Sequence, residues 1–405
     1  MPRASEAYDL VLYGATGFVG RQTVAYIAAH PDVRASGLRW ALAGRNRAKL
    51  EALQRELQVP QAGVLVADAA DTSALDTLAR SARVVLSTAG PFALYGTPLV
   101  EACVRQGCHY VDITGETPWV KGLIDRLHQE AQRRHARIIP CCGFDSIPSD
   151  IGAFLAQNTM RSVHGRDCVD VKAAYSIRGG FNGGTLASFF HMLDAGQAQA
   201  MRDPFLLNPA DHRPAHPEAH ADPVGPRFDA DLDSWLGPFF MAPVNTRVVR
   251  RSAALLDYGA DFHYQEYLRL GRGGSRAVAA TALSASSVAT QWAMGLKPVR
   301  ALARRLAPAP GEGPSQASMD KGSFQSRIVG RAADGTLVHG RIADQGDPGN
   351  RATTKMLCES ALALALQDKE LPQGRKHGGV LTPASGLGDV LVARLRAAGM
   401  TLQMG

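Results

Sequence analysis

The sequence predicts an α/β chain, with an N-terminal doubly wound parallel sheet and an inserted mixed α+β second domain. Three observations carry this. Strand-like and helix-like stretches alternate through the first 150 residues. The strands are nearly continuous apolar runs, the pattern of strands covered by helices on both faces. From about Asp150 onward the strands instead alternate apolar and polar residues, as in a more antiparallel sheet.

The elements follow in order. Apolar runs at Tyr8–Tyr13, Leu38–Ala43, Gly63–Ala67, Arg83–Thr88, His109–Ile113 and Arg137–Cys141 read as strands. Between them, Val19–Ala29, Arg47–Leu57, Ser73–Leu78, Pro98–Gln106 and Val120–His135 carry helical spacing. Alternating runs at Cys168–Arg178, Asn245–Arg251, Asp261–Leu270, Ser323–Arg331 and Thr336–Ala343 predict the second sheet. A helix is expected from Thr185 to about Met201, and a Pro- and His-rich surface loop from Asp203 to Asp233. Amphipathic helices are expected over Arg351–Gln367 and Gly388–Ala398. The expected division is 1–150 for the first domain, 151–345 for a substrate and dimerisation domain, and 346–405 for helices returning to the first.

Composition narrows the function. The 405 residues include 44 basic and 37 acidic side chains, a net charge of +7. The excess is spread along the chain and only eight of the basic residues are Lys, so no stripe for nucleic-acid phosphates forms. Six cysteines (103, 108, 141, 142, 168, 358) show no CxxC pair. That suits free thiols in a reducing compartment. Met1 to Asp9 is short and polar, without a signal peptide's apolar core, so a cytoplasmic location is expected.

The motif Gly14-Ala15-Thr16-Gly17-Phe18-Val19-Gly20 follows the first strand and opens the first helix. Gly14 allows the sharp turn, Gly17 lets backbone approach a diphosphate, and Gly20 lets helix and sheet pack closely. Free amides at the helix N-terminus then meet phosphate charge. The spacing is GxxGxxG rather than the GxGxxG of the usual fingerprint, and its place between a strand and a helix is what points to a Rossmann dinucleotide-binding loop. An NAD site places an acid after the second strand, but Leu38 to Asn46 contains none. Arg45 stands there, followed by Lys49, and a guanidinium suits a 2′-phosphate, so NADP(H) is the expected cofactor. Gly44 and Asn46 flank Arg45, and Asp68 ends the third strand's run. Thr88, Ala89, Gly90, Pro91, Thr114 and Gly115 end the fourth and fifth strands and complete the expected cofactor contacts.

Several chemistries drop out. None of the nine tyrosines has Lys four residues on, so the Tyr–Lys pair of a short-chain dehydrogenase is missing. No HExxH, Walker loop or GxSxG elbow occurs. His212, His216 and His220 are evenly spaced, but Pro209, Pro214 and Pro217 break any helix that would gather them, so no metal site is expected. Cys141 and Cys142 lack a base and read as buried thiols.

Taken together, GATGFVG, AGR, STAGPFALYG, HYVDITGE and CCGFDSIPSDIG resemble the saccharopine dehydrogenase-like oxidoreductases. More narrowly they resemble the branch containing the trans-acting enoyl reductases of bacterial lipid and polyketide synthesis. Later stretches agree: Gly183-Gly184-Thr185, Pro243 to Arg247, Pro310 to Pro314, and Gly378 to Pro383. The resemblance implies a Rossmann domain, a mixed second domain, returning helices and a nicotinamide cofactor. It carries over no catalytic triad.

The expected reaction is therefore NADPH-dependent reduction of an enoyl C=C bond in a lipid- or polyketide-like acyl substrate. An enolate needs a hydrogen-bond donor and then a proton. Tyr95 is the first candidate donor, against a packing role at a helix start. Asp145 and Ser146 are the second set, with Asp145 alternatively capping the helix near Pro148. Thr185 and Ser188 could line the pocket from the second domain. Two other readings stay open: a saccharopine-type amino-acid or imine dehydrogenase, marked by Arg clamps among Arg178, Arg247, Arg250, Arg251 and Arg269, and a non-catalytic NADP-binding lipid-associated protein.

One stretch stands outside this scheme. Ala277 to Leu296 carries no charge, though its Ser and Thr make it too polar to span a bilayer. Val288, Trp292, Leu296, Val299, Leu302 and Leu306 follow helical spacing, with Lys297, Arg300, Arg304 and Arg305 off that face. A 288–306 helix lying on a membrane, or packed on the second sheet with a solvated basic side, both fit.

Overall fold

The structure is a computed structural model and describes residues 7–180, 182–309 and 311–405. Met1 to Glu6, within the polar N-terminal segment, and Pro310, within the Pro310–Pro314 motif, lie outside the described residues.

The described residues form two seven-stranded sheets. The first contains β1 (Tyr8–Tyr13), β2 (Trp40–Gly44), β3 (Gly63–Val66), β4 (Ala82–Ser87), β5 (His109–Asp112) and β6 (Arg137–Ile139). These lie parallel in the order β3-β2-β1-β4-β5-β6, the doubly wound order. All six match the expected apolar runs. Successive β1 residues show why those runs are continuous: Leu10 and Leu12 enter one core, Val11 and Tyr13 the other. Helices Phe18–Ala29 and Thr353–Leu366 lie on the first face. Helices Thr72–Ser81, Phe92–Gln106 and Thr117–Arg133 cover the second. The helix expected from Pro98 starts instead at Phe92, so Pro98 sits inside it. The bond this removes would have gone to Leu94, on an exposed turn where water serves the carbonyl.

The second sheet contains β7 (Cys168–Arg178), β8 (Arg227–Asp229), β9 (Ser234–Pro238), β10 (His263–Gly271), β11 (Ser323–Ala332) and β12 (Leu337–Gln345). Its pairs are antiparallel except β7 with β10. Helix Ile147–His164 joins the two units: Ile151, Phe154 and Met160 share one core with Ile328 and Ile342 of the second sheet. Gly152 makes that approach possible, since a Cβ there would stand 2.5 Å from Ile328 Cδ1.

Four sequence expectations are corrected. Asn245–Arg251 is no strand but the middle of helix Ala242–Leu255, buried on every side. Its alternation arises because three arginines there are buried and bonded rather than solvated. Arg247 donates to the Met201 and Asp203 carbonyls and pairs with Asp222. Arg250 donates to Pro204, His220 and Tyr264, and Arg251 to Leu207 and Val380. The same bonds pin the 203–233 stretch, whose residues 204–208 are buried, while 209–228 run along the surface as expected, with short 3-10 turns. The helix from the 183 region ends at Asp194, with a 3-10 turn at Gln197–Arg202 beyond it. The 288–306 helix is two helices, Gly274–Met294 and Lys297–Leu306. Leu296 between them is extended, with Pro298 in the next turn.

After helix Thr353–Leu366, β13 (Gly379–Val380) adds beside β6 and helix Pro383–Ala397 packs on Ile147–His164. The chain then returns to the second sheet as β14 (Thr401–Met404), paired with β12, a strand that sequence periodicity did not mark. No helix among the described residues is long and apolar enough to cross a membrane.

Candidate cofactor and active site

Ligands of open α/β sheets bind at the carboxyl ends of the strands. Here those ends bring together Gly14 to Gly20, Thr88 to Pro91, Thr114 to Glu116 and Cys141 to Ser146. Gly14 has φ +85°, and a Cβ there would lie 2.9 Å from both Ala89 N and Thr88 Oγ1. Thr88 Oγ1 in turn donates to the Gly14 carbonyl at 3.1 Å. A Cβ on Gly20 would overlap the Gly14 carbonyl and stand 2.8 Å from that of Ala15. Gly17 is different: a Cβ meets only Gly14 O, at 3.3 Å. Gly17 is also the N-cap of helix Phe18–Ala29 and supplies no capping side chain, so the first-turn amides stay free. Ala15 and Val19 are buried beneath the loop, Phe18 is partly exposed and Thr16 faces solvent.

At the end of β2, Arg45 is exposed and has no ion pair among the described residues. Asn46 caps helix Arg47–Glu56, accepting from Lys49 N at 3.0 Å, and the Lys49 side chain is exposed. Gly44 is partly exposed. Asp68 is exposed and accepts from Ala70 N at 2.9 Å. A glycine cradle, uncapped helix amides and an unpaired guanidinium fit a dinucleotide bearing a 2′-phosphate.

Beyond β4, Gly90 and Pro91 lead into helix Phe92–Gln106, whose N-terminus is occupied by a carboxylate. Glu116, 2% exposed, accepts from Phe92 N at 2.7 Å and Ala93 N at 3.0 Å. It also accepts from Ser188 of the second unit at 2.8 Å, so one side chain ties both walls of the cleft. Sequence reasoning quoted Glu116 in its motif but gave it no role. Thr114 is buried and accepts from Glu116 N through Oγ1. Thr185 donates its backbone N–H to Asn182, the cap of helix Gly183–Asp194.

Asp112 was also missed. Its Oδ1 accepts from Thr114 N and Cys141 N, holding Cys141 at φ +63°. Cys141 and Cys142 are buried, which pushes both thiols up.

The sequence left Asp145 divided between chemistry and capping. Helix Ile147–His164 has Ser146 as its N-cap, with no side-chain cap bond, so Asp145 caps nothing. Its carboxyl has no hydrogen-bond or ion-pair partner among the described residues. Asp145 is partly exposed, and desolvation by the protein packed around it pushes it up to about 7. A Cβ on Gly115 would lie 3.9 Å from Asp145 Cγ and from Val244 Cγ2, so the carboxyl stands beside the bare backbone of Gly115 and near the Val244 side chain. The neighbouring Asp150 is also pushed up to about 7 by burial but is fully committed, accepting from Ser252 and from Ala384 N. Ser146 is fully buried and donates to Asn245 at 3.4 Å. Tyr95 lies in the first turn of helix Phe92–Gln106, 49% exposed. Leu94, Phe189 and Phe240 are exposed around the same elements.

Among the described residues no three His, Cys, Asp or Glu side chains gather as metal ligands. Two clefts lie elsewhere. One of about 970 Å³ sits at the opposite ends of β1 and β2, and one of about 340 Å³ beside His128 and Arg251. Apart from Arg251, one of the candidate clamps, neither is lined by a residue expected at the site.

Residues 10–139 match the family model described as the saccharopine dehydrogenase NADP binding domain. A Mycobacterium tuberculosis protein is 38% identical over 430 residues, covering 100% of this chain and 99% of its own. A protein named trans-acting enoyl reductase from Mycobacterium bovis is 36% identical over 423 residues, with 99% of each chain covered. One of the same name from Mycobacterium ulcerans is 35% identical over 426 residues, again with 99% of each covered. Among solved structures, saccharopine dehydrogenase (L-Glu forming) from Saccharomyces cerevisiae aligns with a TM-score of 0.52 at 13% identity. That alignment covers 98% of this chain and 99% of the other, a likeness of fold.

Proposed function

The chain belongs to the saccharopine dehydrogenase-like oxidoreductases, in the branch of the trans-acting enoyl reductases, and from that premise we propose that it reduces the C=C bond of an enoyl acyl substrate. It is an NADP(H)-dependent enzyme. The observation that carries the acyl reading is the fate of the arginines. A multiply charged amino-acid substrate needs a cluster of cationic clamps; of the five candidate arginines, Arg247, Arg250 and Arg251 are at most 2% exposed and bonded to backbone carbonyls, which leaves Arg178, exposed, and Arg269, partly exposed. The large exposed side chains on the two helices that Glu116 joins are apolar: Leu94 and Tyr95 on one, Phe189 on the other.

In this reading Gly14 to Gly20 hold the diphosphate on the amides of helix Phe18–Ala29. Arg45, with Asn46 and Lys49, takes the 2′-phosphate, while Gly44 and Asp68 border the adenosine. Thr88, Ala89, Gly90, Pro91, Thr114 and Gly115 form the nicotinamide end. NADPH, when bound, supplies a hydride for the β-carbon of the substrate. Tyr95 donates a hydrogen bond to the acyl oxygen as negative charge develops there. Asp145 transfers its proton to the α-carbon, completing the addition of H⁻ and H⁺. Ser146, turned to Asn245, orients the backbone that carries Asp145.

NADPH oxidation should be measured with a panel of enoyl thioesters and, separately, with amino-acid and keto-acid pairs. Turnover is expected with enoyl thioesters. Turnover only with amino or keto acids would transfer the protein to dehydrogenase chemistry, and none with either would favour a silent NADP binder. Cofactor choice has its own test. Arg45→Asp is expected to weaken NADPH by roughly 10- to 100-fold, the loss of charge-assisted bonds of about 1.5–3 kcal/mol. NADH affinity should hold or improve, and calorimetric dissociation constants for the two cofactors check it.

A further inference from the structure

We propose that the helix pair Gly274–Met294 and Lys297–Leu306 docks on an anionic lipid bilayer. This deepens the acyl-substrate reading by naming where the substrate comes from, although the docking itself stands on separate observations.

The first is exposure. The 21-residue helix Gly274–Met294 buries only Ala280 and Ser284, and helix Lys297–Leu306 buries nothing. Trp292 is 72% exposed and Leu306 79%, with Val278, Val288, Leu296 and Leu302 also exposed. Val288 and Trp292 lie in the last turns before the bend at Gly295 and Leu296, and Leu302 and Leu306 lie one turn apart on the helix after it. A soluble face does not need such residues, whereas a shallowly inserted corner uses them, with Trp at headgroup depth.

The second observation is charge. From Gly274 to Ala309 the chain has no Asp or Glu, against five Lys and Arg. Arg300 and Arg304 pair with Asp194 of helix Gly183–Asp194. Arg276, Lys297 and Arg305 are exposed with no ion pair among the described residues. An all-basic face around an apolar corner complements anionic headgroups. It opposes pairing with a second copy, because a two-fold interface would lay the same positive patch on itself.

The third is connection to the site. Gly313 lies against the glycine loop, where a Cβ would stand 2.5 Å from the Phe18 ring. Gly183 N donates to Glu312 O at 3.0 Å. The same helix Gly183–Asp194 that anchors Arg300 and Arg304 carries Ser188, bonded to Glu116. A bilayer on this corner therefore lies beside the cleft that would receive an acyl chain.

The test is flotation of the full chain with vesicles of phosphatidylcholine alone and of phosphatidylcholine with phosphatidylglycerol. Binding is expected on the anionic vesicles and should weaken as salt rises. Trp292→Ser combined with Leu306→Ser, and separately Lys297→Glu combined with Arg305→Glu, should each lower the partition coefficient at least about tenfold. Melting temperature and NADPH oxidation with a short soluble enoyl thioester should not change, since these side chains lie outside the site. Equal recovery with both vesicle types overturns the proposal, as does wild-type binding by the variants. A dimer in sedimentation velocity that Trp292→Ser dissolves would assign the corner to a second copy and also overturn it. Failure of the enzyme reading shows separately, as vesicle binding without turnover of the soluble thioester.

Discussion

Asp145→Asn is expected to lower turnover by roughly 10²–10⁴-fold, the range for loss of a general acid, with NADPH affinity nearly unchanged. The substitution keeps size and removes only the transferable proton. Desolvation pushes the Asp145 carboxyl up to about 7, so it holds a proton where an ordinary carboxylate has lost one. Wild-type kcat should accordingly fall as pH rises through about 7, and this limb should vanish from the residual activity of the variant.

The same shift fixes a stability effect with the same pH direction. The folded carboxyl keeps its proton above the ordinary carboxylate range while the unfolded one releases it. Stability therefore falls as pH rises from that range to about 7 and is fully retained below it. Asp145→Asn removes this loss. Its melting temperature relative to wild type should be higher at pH 8 than at pH 4. Asp112, Asp150 and Glu266 are also pushed up to about 7 by burial, so wild type alone would mix four groups, and the difference between variant and wild type isolates one. Equal turnover in Asp145→Asn would remove the residue from the mechanism.

Gly20→Ala should be the most damaging change in the cofactor loop, and Gly17→Ala its informative contrast. A methyl on Gly20 overlaps the Gly14 carbonyl and crowds that of Ala15, both backbone groups that cannot swing aside. Helix Phe18–Ala29 must then lift from the turn, at a cost of about 3 kcal/mol or more. Lower thermal stability and at least about tenfold weaker NADPH binding should appear together. At Gly17 the methyl meets only Gly14 O, at 3.3 Å, so the free protein should lose about 1 kcal/mol or less. The methyl does occupy the side from which a diphosphate approaches, so weakened NADPH binding with a near-normal melt is expected. Thermal melts with and without NADPH, beside calorimetric titrations, check both. Equal loss of stability in the two variants would mean that the glycines serve packing alone.

Much of this was legible in the sequence for a plain reason. The six parallel strands, their helices and the glycine loop are encoded by neighbours a few positions apart, through apolar runs, helical spacing and turn-forming glycines. The missing acid after β2 is as local, and it sufficed to favour NADP(H). Where periodicity misled, it met residues whose burial inverts the usual rule. Asn245–Arg251 alternates like a half-exposed strand because arginines normally face water; here they face carbonyls, and the segment is helix.

The sequence by itself thus determined the first sheet, the cofactor class and the motifs at the strand ends, since each is written within one strand–turn–helix unit. Only the tertiary structure decided which of the ionisable residues are spent. Asp150 is consumed by Ser252 and Ala384, 102 and 234 residues away, while Asp145, five positions earlier, has no such partner. Glu116 became the link between the two walls through Ser188, 72 residues on. Local pattern specifies backbone conformation, but the state of a buried charge depends on what the fold places against it, and those partners come from distant parts of the chain.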